Sequence, residues 1–175
     1  MNVSIFKASP AELDLVIRIG METFDETWGH AYAAEDMRNY MSEAFDLNKI
    51  REELEDNQTN TFLMVTVEGE MAGYAKLRRD SVFEETKGSK TIELERFYFM
   101  RKFHGKGVAQ TLMEKVLKLS RDEGMEWVVL GVDVNNFRAI RFYTRYGFEV
   151  FGHKIFRVGS VQDTDQLMKL KLSSS

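Results

Sequence analysis

The sequence predicts an α/β fold around one mixed sheet. Three observations carry that prediction: helical apolar periodicity over the first third, strand-like alternation from Thr61 onward, and a strand, glycine turn, helix and strand in succession between Thr91 and Val134. With 175 residues the chain fits a single domain, over 1–172, and is too short for two of ordinary size. The closing Ser173-Ser174-Ser175 reads as a frayed tail.

Ser9-Pro10-Ala11-Glu12 has the form of a capping box with proline at the first helical position, so a helix is expected to start there. Leu13, Val16, Ile17, Gly20, Met21 and Phe24 form its apolar stripe, opposite an acidic face. The pattern repeats over 34–45 with Met37, Tyr40, Met41 and Ala44, and a shorter helix runs through Ile50 and Leu54, which makes the first third helical. Thr61 to Val67 and Met71 to Leu77 are the strands of a hairpin turning at Glu68-Gly69-Glu70, and the polar stretch 80–89 is a loop. Thr91 to Met100 is a strand that runs into a glycine turn at His104. The helix after that turn buries Val108, Leu112, Val116 and Leu119 and stops at Gly124, and Glu126 to Val134 returns as a strand, a candidate parallel neighbour of the first. Phe137 to Tyr146 is a helix closed by Gly147, followed by strands over 148–158 and 165–172.

Composition narrows the function. A net charge of -4 and the lack of a basic surplus argue against a nucleic-acid binder. The chain has no cysteine, which removes disulfides, thiolate metal sites and cysteine nucleophiles together. His30, His104 and His153 are scattered without ligand spacing, so no metal is expected, and no G-x-S-x-G elbow supports a serine triad. No apolar run is long enough for a membrane span and no signal peptide is evident, so a cytoplasmic location without membrane association is the expectation.

His104-Gly105-Lys106-Gly107-Val108-Ala109 joins a strand to a helix. Glycines there let backbone N–H groups approach an anion at the positive end of the helix dipole, which suits a phosphate or pyrophosphate. Alone, a short G-x-G run is more often just a turn. One strand downstream stands Asn136-Phe137-Arg138-Ala139-Ile140-Arg141-Phe142-Tyr143, followed by Tyr146-Gly147-Phe148.

Together these two segments resemble the signature motifs of the GNAT superfamily of N-acetyltransferases, the loop Q/R-x-x-G-x-G/A and the later N-x-x-A-x-x-x-Y helix ending in G-F. The resemblance implies the single-domain GNAT (acyl-CoA N-acyltransferase) fold: a mixed, mostly antiparallel sheet with a splayed central parallel strand pair and flanking helices. It implies acetyl-CoA as cosubstrate, held by His104, Gly105, Lys106, Gly107, Val108 and Ala109, by backbone groups of Phe97, Tyr98 and Phe99, and by Asn136 and Tyr143. His104 departs from the motif's Gln or Arg: it can donate a hydrogen bond but carries no permanent charge, which leaves most of the holding to the neighbouring backbone. Tyr143 falls where the family places a tyrosine near the thioester sulfur, which implies a general acid for the leaving thiolate; a phenol titrating at roughly 10 can protonate a thiolate whose thiol titrates at roughly 8.5. The resemblance is also compatible with a homodimer.

An ammonium acceptor must lose a proton before it attacks, so a base is required. Strand period places Glu93 and Glu95 on one face, directed toward the splay if the alignment holds, and either is a candidate; the same alternation is equally the pattern of a solvated face. In the helical first third, carboxylates including Glu26 are interleaved with aromatics including Trp28 and Tyr40, a combination suited to an aliphatic cation, although acidic faces are also ordinary helix surface. At finer grain Glu22-Thr23-Phe24, residues 40–45, Ile92 to Arg96 and Thr164 to Met168 resemble the PaiA-type polyamine N-acetyltransferases, which implies a small-molecule amine such as spermidine or spermine as acceptor. A protein or peptide amine as acceptor, and a noncatalytic acyl-CoA-binding regulatory module, are the alternatives the sequence leaves open.

Overall fold

The computed structural model describes residues 1–173; Ser174 and Ser175, part of the expected tail, lie outside the described residues. Seven strands form one sheet in the order β1-β2-β3-β4-β5-β7-β6. Along the chain they and five helices run β1 Val3–Lys7, α1 Leu13–Trp28, α2 Ala34–Ala44, α3 Leu47–Glu55, β2 Asn60–Val67, β3 Glu70–Arg78, β4 Thr91–Phe99, α4 Val108–Asp122, β5 Trp127–Asp133, α5 Phe137–Arg145, β6 Glu149–Val158 and β7 Val161–Lys171. Every neighbouring pair is antiparallel except β4 and β5, which are parallel.

Two cores lie on opposite faces. Leu63, Val65, Ala75, Leu77, Leu130 and Met168 pack against Val108, Leu112, Met113 and Val116 of α4. On the other face Phe62, Met64 and Tyr74 pack against Val16, Ile19 and Phe24 of α1, Met37 of α2 and Ile50 of α3. The period of two explains the division: alternate residues of β2 and β3 point to opposite faces, and both faces are covered, so these strands are buried almost throughout.

The helix starts follow their sequence signals. Ser9 and Glu12 form the expected reciprocal capping box, closing a 3-10 turn over Pro10–Glu12 that leads into α1. Asp46 accepts from the Lys49 amide at the start of α3. Gly124 and Gly147, at φ 73° and 94°, stop α4 and α5 in the left-handed region where glycine avoids a steric cost.

Three expectations need correction. The first third is not wholly helical, because Val3–Lys7 forms an edge strand on β2; with Val3 and Ile5 half-buried and Phe6 exposed, its alternation is too short to stand out. Leu119 is only half-buried, and the buried stripe of α4 broadens instead toward Met113, Leu117 and Ser120. The last hairpin is tighter than expected, since β7 begins at Val161 and turns on Gly159 and Ser160. The loop after β3 contains a 3-10 turn at Glu84–Thr86.

Gly20 lets α1 approach the segment after α2. A Cβ on Gly20 would overlap the ring of Phe45, which is buried and carries the Arg96 guanidinium 4.5 Å above it. We expect Gly20→Ala to lower stability by about 1–3 kcal/mol, the usual cost of overpacking a filled core, read as a lower urea midpoint with an unchanged slope.

Candidate active site

The parallel ladder between β4 and β5 has only three rungs, Thr91 with Trp127, Ile92 with Val128 and Glu93 with Val129. Beyond Glu93 the two strands diverge. The cause lies on the opposite edge of β4, where Arg96 pairs with Lys76 and Leu94 with Leu77, leaving Glu95 as an extra residue without a partner on β3. Such a bulge bends its strand and shifts the side-chain alternation by one. Ile92 and Leu94 face the α4 side before it, whereas Phe97 and Phe99 face that side after it and Tyr98 faces α1.

A cavity of about 590 Å³ straddles this seam. Its walls come from both faces of the sheet: Phe97, Phe99, Val108, Val132, Ala139 and Tyr143 from the α4 and α5 side, and Trp28, Tyr32, Tyr98 and Phe156 from the α1 side. The edge of β4 that turns toward β5 keeps unpaired backbone groups there, which an extended amide-bearing ligand could satisfy.

The glycine turn forms one mouth of the cavity. Gly105 and Gly107 stand at φ 77° and 80°, and a Cβ on either would meet nothing, so the backbone there is open to close approach. The Thr111 amide donates to Gly107 O at 3.1 Å as the first bond of α4, so the amides just before it have no acceptor within the helix. Both features fit a pyrophosphate, and Arg101, Arg138 and Arg145 add cationic side chains to the same walls.

His104 lies within this mouth. Its Nδ1 is 2.9 Å from the Arg138 guanidinium, which can only donate, so Nδ1 accepts and Nε2–H donates to Phe99 O at 3.1 Å. The ring is therefore in its neutral form, and burial followed by the nearby arginines holds its pKa below the ordinary histidine value against the opposing Phe99 carbonyl. Asn136 caps α5 by accepting from the Ala139 amide at 3.2 Å and also lines the cavity. Tyr143 is 7% exposed, with Phe97, Phe142 and Phe148 around its ring. Burial raises the pKa of its phenol, so it stays protonated at neutral pH.

The two glutamates expected at the splay separate. Glu95 lines the cavity, whereas Glu93 is not among its walls, which corrects the expectation that both point into it: Glu93 accepts from the Ser81 hydroxyl and stands 4.0 Å from Lys154 Nζ. Glu95 is paired with Lys76, whose wholly buried ammonium lies 2.7 Å from it and 2.9 Å from Glu53 of α3. Burial pushes the Glu95 pKa up, but Lys76 with Arg96 and Arg78 overcomes it and holds the carboxyl below its ordinary value. That makes it a poor proton acceptor near neutrality.

On the α1 side Trp28 lines the cavity. Glu26 does too, but its carboxylate accepts from the Arg101 amide at 2.6 Å and its carbonyl from the Arg101 guanidinium, so it anchors the turn after β4 to α1. Tyr40 is not a wall: its ring stacks on Phe24 at 4.6 Å and meets Phe156 edge-on, and burial raises its pKa to about 12. Tyr32, one of the aromatics interleaved with carboxylates in the helical first third, is a wall, as are Asp133, Phe156 and Asp165, for which the sequence offers no site signal. Tyr32 donates to the Asp163 carboxylate. Asp163 and Asp165 alternate along β7, a visible pattern, but only the sheet order brings that strand beside β5. Among the described residues no group of three or more His, Asp or Glu could hold a metal ion, and no helix is long and apolar enough to cross a membrane.

Residues 18–148 match the model of the Acetyltransferase (GNAT) family. The chain is 31% identical over 175 residues to an uncharacterized N-acetyltransferase of Lactobacillus delbrueckii subsp. lactis, covering 98% of each chain. It is 24% identical over 153 residues to a spermidine N(1)-acetyltransferase of Thermoplasma acidophilum, covering 86% of this chain and 90% of that one. In shape it is similar to the crystal structure of the PaiA N-acetyltransferase of Thermoplasma acidophilum in complex with coenzyme A, with a TM-score of 0.79, 23% identity, and coverage of 98% and 99%.

The buried Lys76 yields a stability prediction. Lys76→Met removes the cation that Glu53 and Glu95 share, leaving Glu95 only the more distant Arg78 and Arg96, and is expected to cost about 3–5 kcal/mol at pH 7. Because the folded pKa of Glu95 is depressed below 4.5, the stability it contributes is present above that value and lost as pH falls through the folded pKa. Urea unfolding should therefore show the gap between wild type and variant narrowing below pH 4.5.

Proposed function

The chain belongs to the acetyltransferase (GNAT) family, and on that premise we propose that it transfers the acetyl group of acetyl-CoA to a primary amine of a small cationic molecule, a polyamine such as spermidine or spermine. The observation that carries this reading is the polarity of the cavity at the seam. Arg101, Arg138, Arg145 and the open amides of the glycine turn suit the phosphates of CoA, whereas Glu95, Asp133 and Asp165, set among Trp28, Tyr32 and Phe156, suit an aliphatic cation. The similarity to a spermidine N(1)-acetyltransferase along most of both chains supports the choice of acceptor.

In this reading the amides from Gly105 to Ala109 hold the pyrophosphate, and Asn136 and Arg138 stand beside it. Phe97, Tyr98 and Phe99 offer backbone groups to the pantetheine arm, and a backbone N–H of this edge meets the oxyanion. The reaction joins two bound substrates directly, which needs no covalent nucleophile on the protein. Tyr143, kept protonated by burial, gives its proton to the departing sulfur.

Thiol release from acetyl-CoA against spermidine, spermine, aminoglycosides and peptides tests the acceptor; release with polyamines and none with peptides is expected. Tyr143→Phe should lower turnover about 100-fold while leaving the affinity for CoA, measured by calorimetry, within twofold. Unchanged turnover would remove the tyrosine from the reaction.

A further inference from the structure

Four carboxylates stand in the cavity wall: Glu26, Glu95, Asp133 and Asp165. Three are occupied. Glu26 accepts from the Arg101 amide, Glu95 is paired with buried Lys76, and Asp133 Oδ1 accepts from the Asn135 amide at 2.7 Å. Among the described residues the Asp165 carboxylate makes no hydrogen bond and no ion pair within 4 Å, although the residue is half-buried beside the seam. From this geometry we propose that Asp165 is the base that takes the proton from the acceptor's ammonium group. The proposal rests on the acetyl-transfer reading and deepens it, by giving the proton-accepting role to a strand outside the two sequence motifs.

The sheet builds the place for this carboxylate. Asp165 pairs with Asp133 on β5 and with Lys154 on β6, and it shares the α1 face with Gly131, the wall residue of β5 nearest the seam. A Cβ on Gly131 would fall 3.3 Å from Asp165 Oδ2 and 2.9 Å from Lys154 Cε. Glycine there leaves room for the carboxylate and the lysine stem to lie over the strand where β4 has withdrawn.

The charged groups facing Asp165 come from every neighbouring element. Lys154 on β6 attracts its anionic form, while Asp133 of β5 and Asp163 of β7 repel it. Tyr32 binds Asp163, and Tyr40 and Tyr98 lie close enough for the Asp165 charge to raise their own pKa values. Burial is the largest influence and outweighs Lys154, so the Asp165 carboxyl is pushed up to about 6. Such a carboxylate is ionised at neutral pH and still basic enough to accept a proton, unlike Glu95.

The proton count closes. Asp165 takes one proton from the ammonium, and the freed nitrogen lone pair forms the C–N bond at the thioester carbonyl. The C–S bond then breaks with its electron pair leaving on sulfur, which takes the Tyr143 proton. The nitrogen's surplus proton returns to the tyrosinate, and Asp165 releases its own to solvent.

The test is the pH profile of kcat/KM for spermidine acetylation. The wild-type profile should rise through a limb with a midpoint near 6 and then level. Asp165→Asn should lose at least 100-fold in kcat/KM at pH 7 and lack that limb, its rate climbing with pH because solvent must take the proton, while its CoA affinity stays within twofold. Asp165→Glu should keep a limb with a displaced midpoint. Asp165→Asn turnover within threefold of wild type, or a limb that persists in it, overturns the assignment; should that variant fail to bind CoA, an unchanged midpoint in Asp165→Glu does the same. Failure of the wild-type chain to release thiol with any amine overturns the transfer reading itself, and the base with it, so the two failures are distinguishable.

Discussion

The structure depends on a ladder that stops. A parallel strand pair inside a sheet would ordinarily satisfy its backbone groups along its whole length, because a buried unpaired N–H or C=O costs about 1–3 kcal/mol. Here β4 and β5 pair for three rungs and part, and the sheet survives because β4 stays bound to β3 and β5 to β7 along their outer edges. The bulge at Glu95 gives β4 the bend that opens the seam. It also turns Phe97 and Phe99 to one side of the sheet and Tyr98 to the other, so a single strand furnishes both walls of the cavity.

Opening the seam exposes charge as well as backbone, and the charges there have unequal freedom. Lys76 is buried where an unpaired ammonium would be untenable, and Glu53 with Glu95 makes it tolerable. That commitment holds Glu95 ionised. Glu26 is committed to the turn after β4, Asp133 to the turn before α5 and Asp163 to Tyr32. Counting carboxylates in the sequence gives all of them equal standing; counting their partners separates those that hold the scaffold from the one left free beside the seam.

Much of this architecture was legible in the sequence. The capping box at Ser9, the stop glycines 124 and 147 and the glycine turn at 105–107 are local signals, each set by the backbone of a few adjacent residues, and each appears where it was read. The edge strand Val3–Lys7 was not legible, because it is held by partners sixty residues away on β2. Nor was the bulge: period two places Glu93 and Glu95 alike, and only the register against β3 shows that Glu95 is the extra residue. Tyr40 was read from its company of carboxylates, but its ring is used between Phe24 and Phe156. Asp165 sits within the run Thr164 to Met168 with no local signal of its place at the seam, because its neighbours across the sheet, Asp133 and Lys154, belong to segments about thirty and about ten residues earlier.

His104 shows how a departure from a motif can be read physically. Its substitution for glutamine or arginine left the entrance of the glycine turn without an evident charge. The structure places a charge there from another element: Arg138, two residues into α5, donates to Nδ1 of the imidazole, and the same ring donates from Nε2 to the last carbonyl of β4. One uncharged ring thus ties the end of the open strand to the helix that Asn136 caps. The separation of charge and hydrogen bonding over two residues has a further consequence: a protonated imidazole would have to give up the Arg138 bond, since neither partner could then accept. The pair is therefore compatible only with the neutral ring, in agreement with the lowered pKa, and the two motifs that are far apart in sequence meet through a contact that requires it.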